Sequence, residues 1–207
     1  MSLAQKWQIE KKDLFTFLPA TEIHHHDRLL AKTFLKLLPR SVTPNQITIF
    51  RLIVTPLVFW ITYQENYILG IIAFLLVAFT DALDGSLART QNKITKFGIL
   101  FDPLADKILI SSMVLLLVFR FLNPWLGAAV IGMEIIFIIS ALVFKYKFKK
   151  VLMANIWGKI KMVLQITAVF LILLGLLLNY PILLTVASGV FGLVIGFAIV
   201  SLFTYGI

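Results

Sequence analysis

Ten acidic residues are spread unevenly along this chain. Four lie within the first 27 positions, and of the other six, Asp81, Asp84, Asp102 and Asp106 fall inside one 26-residue window. Carboxylates are costly where lipid surrounds a helix, so their concentration there needs a reason. Asp81 and Asp84 are three apart and Asp102 and Asp106 four apart, so on helices each pair shares a face. Together they bring about −4 of charge into a low-dielectric setting, which is tolerable only with cations beside them. An all-oxygen donor set selects hard ions such as Mg²⁺ or Mn²⁺, and two divalent ions would neutralise it. Gly85 and Ala88, four and seven positions beyond Asp81, lie on the same face and lack bulk. They leave room for a large substrate group against the backbone, or they let two membrane helices pack closely; the sequence accommodates both.

The elements that must hold these side chains follow from composition. Of 207 residues, 60% are hydrophobic and 14% charged, with a mean hydropathy of +0.96, which leaves too little polar surface for a water-soluble fold. A spanning helix needs roughly 20 mainly apolar residues to cross about 30 Å of hydrocarbon. Six stretches qualify: 44–63, 67–87, 102–122, 124–144, 158–178 and 182–204. The expected fold is all-α, a polytopic bundle of six transmembrane helices over 44–207, preceded by a cytoplasmic N-terminal segment, 1–43. Within that segment, 27–38 sets Leu30, Phe34, Leu37 and Leu38 on one face and Arg28, Lys32 and Lys36 elsewhere. That predicts an amphipathic interfacial helix, or one packed on the rest of the protein. The charged first forty residues hold no apolar run of signal-peptide length. With no cysteine there is neither a disulfide nor a thiolate metal site. The adjacent His24, His25 and His26 cannot share one helical face and are given no role.

A net charge of +9 points to nucleic acid or to an anionic membrane, and the placement of the charges decides. Basic residues precede the first span (Lys6, Lys11, Lys12, Arg28, Lys32, Lys36, Arg40), follow the second (Arg89, Lys93, Lys96) and follow the fourth (Lys145, Lys147, Lys149, Lys150). The connections Gln64-Glu65-Asn66, Asn123 and Asn179-Tyr180-Pro181 carry none. This alternation is the positive-inside pattern. With six spans it predicts cytoplasmic termini and acidic pairs at the cytoplasmic face of the cell inner membrane. The basic excess then serves lipid headgroups, with no nucleic-acid partner.

Thr43-Pro44 has N-cap and N1 chemistry and is expected to open the first span. Thr48 and Arg51 follow on the Pro44 face. Arg51 lies about 10 Å along that helix, where an unpaired charge costs about 2.5–3.5 kcal/mol, so it needs an anionic partner unless it snorkels to the interface. Asp102-Pro103 repeats the N-cap and N1 pattern and is predicted to start the third span, after a loop of about a dozen residues that returns the chain to the same membrane surface.

The string Asp81-x2-Asp84-Gly85-x2-Ala88-Arg89-x8-Gly98-x3-Asp102-x3-Asp106 resembles the signature of the CDP-alcohol phosphotransferase family at all eight specified positions. The six expected spans, the segment before them and the Pro44-Asn45-x2-Thr48 start resemble that family too, a likeness that weakens after about residue 180. The resemblance implies an enzyme that moves a phosphatidyl-like group from a CDP-linked lipid to an alcohol. By it, Asp81, Asp84 and Asp102 hold the metals with Asp106 contributing, and Asp106 is the general base. Thr48, Asp84, Gly85, Ala88, Arg89 and Gly98 would line the CDP site, and the protein would be a homodimer. The chemistry is coherent, because a metal-bridged pyrophosphate is neutralised while its β-phosphorus stays open to an incoming alcohol. A base within reach of the hydroxyl then removes its proton as CMP leaves.

Gly158-Lys159-Ile160-Lys161, followed by Gln165, opens the fifth span, and Lys161 is the better placed to point into the bundle. Two lysines there serve either as interfacial anchors or as an anion site for a phosphate on the acceptor. This run, with Pro44-Asn45-Gln46-Ile47-Thr48, Arg51 and Asp102-Pro103-Leu104-Ala105-Asp106-Lys107, resembles bacterial phosphatidylglycerophosphate synthases. That implies glycerol 3-phosphate as the acceptor, met by Lys159, Lys161 and Arg51. Two departures stand out: Met133 precedes Glu134 and Ala141 lies seven beyond it, where that subfamily usually has arginines. Lys145 and Lys147 either compensate or form a solvated lysine run. Glu134, mid-span with no sequence-local cation, is expected to face the bundle, hydrogen-bonded or protonated, in a structural role. Inositol phosphate, phosphatidylglycerol or an archaeal-type lipid as acceptor would keep the aspartates and change the lysine site. A divalent-cation transporter would instead set its carboxylates near the midplane, often in broken helices, and an inactive scaffold would tolerate a degraded motif.

Overall fold

A computed structural model describes residues 17–18, 33, 35, 39, 42–91, 93–148 and 156–204. Among them are a two-residue strand pair and six helices: β1 (Phe17–Leu18), α1 (Pro44–Tyr63), α2 (Tyr67–Thr90), β2 (Ile94–Thr95), α3 (Lys96–Phe121), α4 (Pro124–Phe148), α5 (Ile156–Leu177) and α6 (Pro181–Thr204). α1, α2, α5 and α6 are each long and apolar enough to cross a membrane, and α4 holds a shorter apolar stretch, Pro124–Ser140. α3 has 26 residues, but Asp102, Asp106, Lys107 and Arg120 interrupt its apolar run. The architecture is an all-α membrane fold. The amphipathic helix expected at 27–38 lies outside the described residues save Thr33 and Leu35, as do His24–His26, Lys149, Lys150 and the side chains of Ala141, Lys145 and Lys147.

Short polar signals set the helix ends. At α1 the Thr43 amide donates to Gln46 Oε1 at 2.8 Å and the Gln46 amide to Thr43 Oγ1 at 3.4 Å, a reciprocal cap that opens the helix where Thr43-Pro44 predicted. α1 closes with Glu65 at φ 62° and the Asn66 amide reaching back to the Ile61 carbonyl at 3.3 Å. α5 closes likewise, with Asn179 at φ 51° and the Tyr180 amide on the Gly175 carbonyl at 2.9 Å. The exposed Glu65 carboxylate pairs with Arg120 at the end of α3.

The third helix departs from expectation. It starts at Lys96, because Thr95 Oγ1 accepts the Gly98 amide at 3.0 Å and so caps the first turn. α2 also runs on to Thr90. Asp102-Pro103 therefore sits about two turns inside α3 rather than at its mouth, and the loop expected to be a dozen residues long shrinks to 91–95.

The chain divides into two compact units, Met1–Val58 with Ala73–Leu109, and Phe59–Ile72 with Ile110–Ile207. In the first, β1 pairs antiparallel with β2, Phe17 opposite Thr95 and Leu18 opposite Ile94, and Leu35 is buried with Ile47 and Leu87 between Val42 and Leu83. Leu35 is thus packed on α1 and α2, and Phe17–Leu18 on the strand that leads into α3. In the second, α5 and α4 both pack on α6. The buried Lys161, Gln165, Ala168, Ile172 and Gly175 of α5 recur at steps of four and three, as do Ala187, Phe191, Val194, Ala198 and Ser201 of α6, each a single inward stripe.

Gly175 lets α5 meet the start of α6. A Cβ there would lie 2.6 Å from Leu184 Cδ1 and 3.1 Å from Leu183 Cβ. Gly175→Val is accordingly expected to destabilise the protein by about 1–3 kcal/mol through overpacking, read as a lower Tm in detergent; an unchanged Tm would show that the hairpin has slack.

Candidate active site

Within the first unit, one guanidinium gathers the acids of α2. Arg51 is fully buried, its Nη1 lying 2.6 Å from Asp81 Oδ1 while its Nη2 donates to Asp84 Oδ2. The planar fork of arginine suits two carboxylates one turn apart on a helix. Arg51 thus has the anionic partner its position demanded, and the snorkelling alternative is excluded. Expected to serve the acceptor, it is engaged here by two aspartates.

Thr48, one turn earlier on α1, links the acids of α2 and α3. Its Oγ1 lies 2.5 Å from Asp102 Oδ1, 3.4 Å from Asp84 Oδ2 and 3.3 Å from the Pro44 carbonyl. One hydroxyl carries one proton and serves one of these three acceptors at a time. Asp106, one turn beyond Asp102, acts electrostatically on Arg51. Asp84 is 1% exposed and Asp81 30%, so the cluster is closed at Asp84 and open at Asp81.

Asn45, Thr95 and Gly98 support this arrangement. Thr95 Oγ1 accepts the Gly98 amide and donates to Asn45 Oδ1 at 2.7 Å. A Cβ on Gly98 would lie 3.3 Å from Asp102 Oδ2 and 3.5 Å from Asn45 Oδ1, so the glycine lets the carboxylate and the cap share one small space. Thr95 was missed at the sequence level, where Asp102-Pro103 is the louder cap signal. Thr95→Val is expected to lower stability by about 1–2 kcal/mol, with Thr95→Ser restoring most of the loss in Tm; a valine variant as stable as the parent would remove the cap from the account.

The bulk-free face at Gly85 is taken up by Arg89, whose Nη1 and Nη2 would lie 3.2 and 3.3 Å from a Cβ there. Ala88 is half-buried on the same helix. Among the described residues no three acidic side chains form a ready cage for an ion; Arg51 spans the acids instead. The donor set nonetheless fits a hard divalent ion. It is all oxygen, it brings about −4 of charge around the Arg51 guanidinium, and Asp84 and Asp102 converge on a hydroxyl that cannot donate to both.

In the second unit, Glu134 of α4 meets the lysine of α5. Lys161 Nζ lies 2.5 Å from Glu134 Oε1, Gln165 Nε2 donates to the same oxygen at 2.9 Å, and the Lys161 ammonium is 4.5 Å from the Phe137 ring centroid. Glu134 and Lys161 are 6% and 7% exposed, whereas Lys159 is exposed. Lys161 is therefore no interfacial anchor, and Glu134 faces inward, hydrogen-bonded, as expected.

Comparison with known proteins gives these residues a context. The pattern of the family described as CDP-alcohol phosphatidyltransferase matches residues 41–200. A protein of Pseudomonas fluorescens named CDP-diacylglycerol--glycerol-3-phosphate 3-phosphatidyltransferase is 40% identical over 105 residues, 48% of this chain and 53% of that one. One of the same name from Aquifex aeolicus is 35% identical over 119 residues, 56% of this chain and 66% of that one. A probable cardiolipin synthase (CMP-forming) of Drosophila melanogaster is 33% identical over 105 residues, 50% of this chain and 33% of that one. The match thus spans about half of the first relative and just under two thirds of the second. The family is generally dependent on a divalent metal. With most of its length matched and its aspartates gathered around one arginine and one threonine, this chain belongs to the CDP-alcohol phosphatidyltransferase family.

Proposed function

We propose that the protein transfers the phosphatidyl group of CDP-diacylglycerol to glycerol 3-phosphate, releasing CMP, as a step of phospholipid biosynthesis. The observation that carries this reading is the convergence of Asp81, Asp84 and Asp102 on Arg51 and Thr48. The names of the Pseudomonas and Aquifex relatives support the donor and the acceptor. Asp81, Asp84 and Asp102, with Asp106 contributing, would hold two Mg²⁺ or Mn²⁺ ions, which when bound neutralise the pyrophosphate of the donor. Thr48, Asp84, Gly85, Ala88, Arg89 and Gly98 line the nucleotide site, where Arg89 offers a guanidinium to phosphate.

Asp106 takes the proton of the acceptor hydroxyl as its oxygen bonds to the β-phosphorus. The bond from that phosphorus to the bridging oxygen breaks, and CMP leaves with the electron pair. Lys161 and Lys159 attract the acceptor phosphate, and Arg51 holds the acid cluster together. Residues 44–207 form the six-span catalytic domain behind a cytoplasmic segment, 1–43. The basic loops support an active site on the cytoplasmic face of the inner membrane, with both termini on that side. The family likeness supports a homodimer.

The test is CMP release by the purified protein in detergent with CDP-diacylglycerol, Mg²⁺ or Mn²⁺ and a panel of alcohols. Release should be greatest with glycerol 3-phosphate, stop with EDTA and return when either ion is restored. Preference for inositol phosphate or phosphatidylglycerol would overturn the acceptor, and silence with every alcohol would overturn the activity.

A further inference from the structure

Arg120 is a cation beside connections that carry no basic residue, Gln64-Glu65-Asn66 and Asn123, and the second unit builds a cleft around it. The turn that joins α1 to α2 and the last turn of α3 enclose an open space of about 390 Å³, lined by Tyr63, Gln64, Glu65 and Arg120. Arg120 pairs there with Glu65, and both side chains stay about half exposed. The guanidinium also lies 5.2 Å from the Phe121 ring centroid. Glu65 holds φ 62°, a conformation easier for glycine or asparagine, so its carboxylate is kept at a backbone cost. An exposed ion pair adds little to stability, which leaves that cost unexplained by the pair alone. Backbone strain of this kind collects at ligand sites.

Aromatic residues fix the depth of the cleft. Trp60 and Tyr63 share the last turn of α1 with their rings 6.2 Å apart, Trp125 lies five positions beyond Arg120, and all three are more than half exposed. Tryptophan and tyrosine exposed at the ends of spanning helices sit at the level of lipid headgroups, so the cleft opens among phosphates rather than among acyl chains. A guanidinium and a carboxylate side by side then discriminate by sign. A headgroup that is only anionic is drawn by Arg120 and repelled by Glu65. A phosphate with a primary ammonium two carbons away gives each wall its opposite, and the ammonium brings N–H donors to the carboxylate. We propose that this cleft binds the headgroup of an ethanolamine phospholipid, its phosphate on Arg120 and its ammonium on Glu65. The single pair between the walls is exchanged for two charge-assisted contacts with the lipid. The inference depends neither on the acceptor nor on the transfer reaction.

The test is the Tm of the purified protein in detergent, titrated with dioleoyl phosphatidylethanolamine, phosphatidylcholine or phosphatidylglycerol. The choline lipid keeps both charges but has no N–H on its cation, and the glycerol lipid has no cation. At a concentration about tenfold above Kd, the ethanolamine lipid should raise Tm by about 3–6 °C, with the choline lipid giving well under half of that. Glu65→Gln and Arg120→Gln each break an exposed pair and should fold. In both, the excess of the ethanolamine lipid over the choline lipid should vanish, and either variant alone suffices for the comparison. No excess in the parent, or an excess that survives in the variants, would overturn the proposal. A shift with phosphatidylglycerol that is lost in Arg120→Gln and kept in Glu65→Gln would replace it with a plain anion site. The same shift from O-phosphoethanolamine at the same concentration would rule out a lipid as the occupant.

Discussion

Asp106→Asn is expected to keep the fold and the binding of CDP-lipid while lowering kcat by about 10²–10⁴-fold, the range supplied by a positioned general base. The amide has the shape of the carboxylate but cannot take a proton from an alcohol. Asp106 is half-buried one turn beyond Asp102 and belongs to the same charge group as Arg51, while Asp81 and Asp84 are the acids Arg51 grips directly. The isosteric amide leaves that grip in place. Single-turnover CMP release, beside an equilibrium measurement of CDP-diacylglycerol binding, separates the outcomes. Full turnover in the variant would remove Asp106 as base, and a parallel loss of donor binding would assign it to metal holding alone.

Arg51→Leu should have the largest effect on stability, about 3–5 kcal/mol, because removing one partner of a buried charge pair leaves the other uncompensated. Here two carboxylates would be left, and Asp84 is almost fully buried. Divalent ions should recover part of the lost Tm, since they supply the positive charge that the guanidinium no longer does. Arg51→Lys should fall between the two, as a single ammonium keeps the charge but cannot fork across both oxygens. A leucine variant that melts with the parent, with or without Mg²⁺, would contradict the arrangement around Arg51.

The parts of this protein legible from sequence were those written in local chemistry. Thr43-Pro44 opened α1 as its cap residues required, the apolar runs became helices, four of them long and apolar enough to cross a membrane, and Arg51 found the anion its burial demanded. The misreading of α3 came from two competing caps. Asp102-Pro103 and Thr95 both satisfy the rules for a helix start, and the strand pairing of Ile94–Thr95 with Phe17–Leu18, a contact between residues far apart in the chain, accompanies the earlier one. Partners on different helices were out of reach for the same reason. No local pattern joins Glu134 to Lys161, 27 positions away, or Thr48 to Asp102, 54 away. The aspartates were recognisable as a set, but not that a single threonine proton would lie between two of them.

The early start of α3 has a geometric corollary. Asp102 lies seven positions beyond Thr95, which at about 100° per residue brings the chain nearly twice around and returns it to within about 20° of its starting azimuth. The stretch works as a rotary index, so that inserting or deleting one residue between them would swing Asp102 and Asp106 together through about 100° relative to the threonine. Length there is as restrictive as side-chain identity.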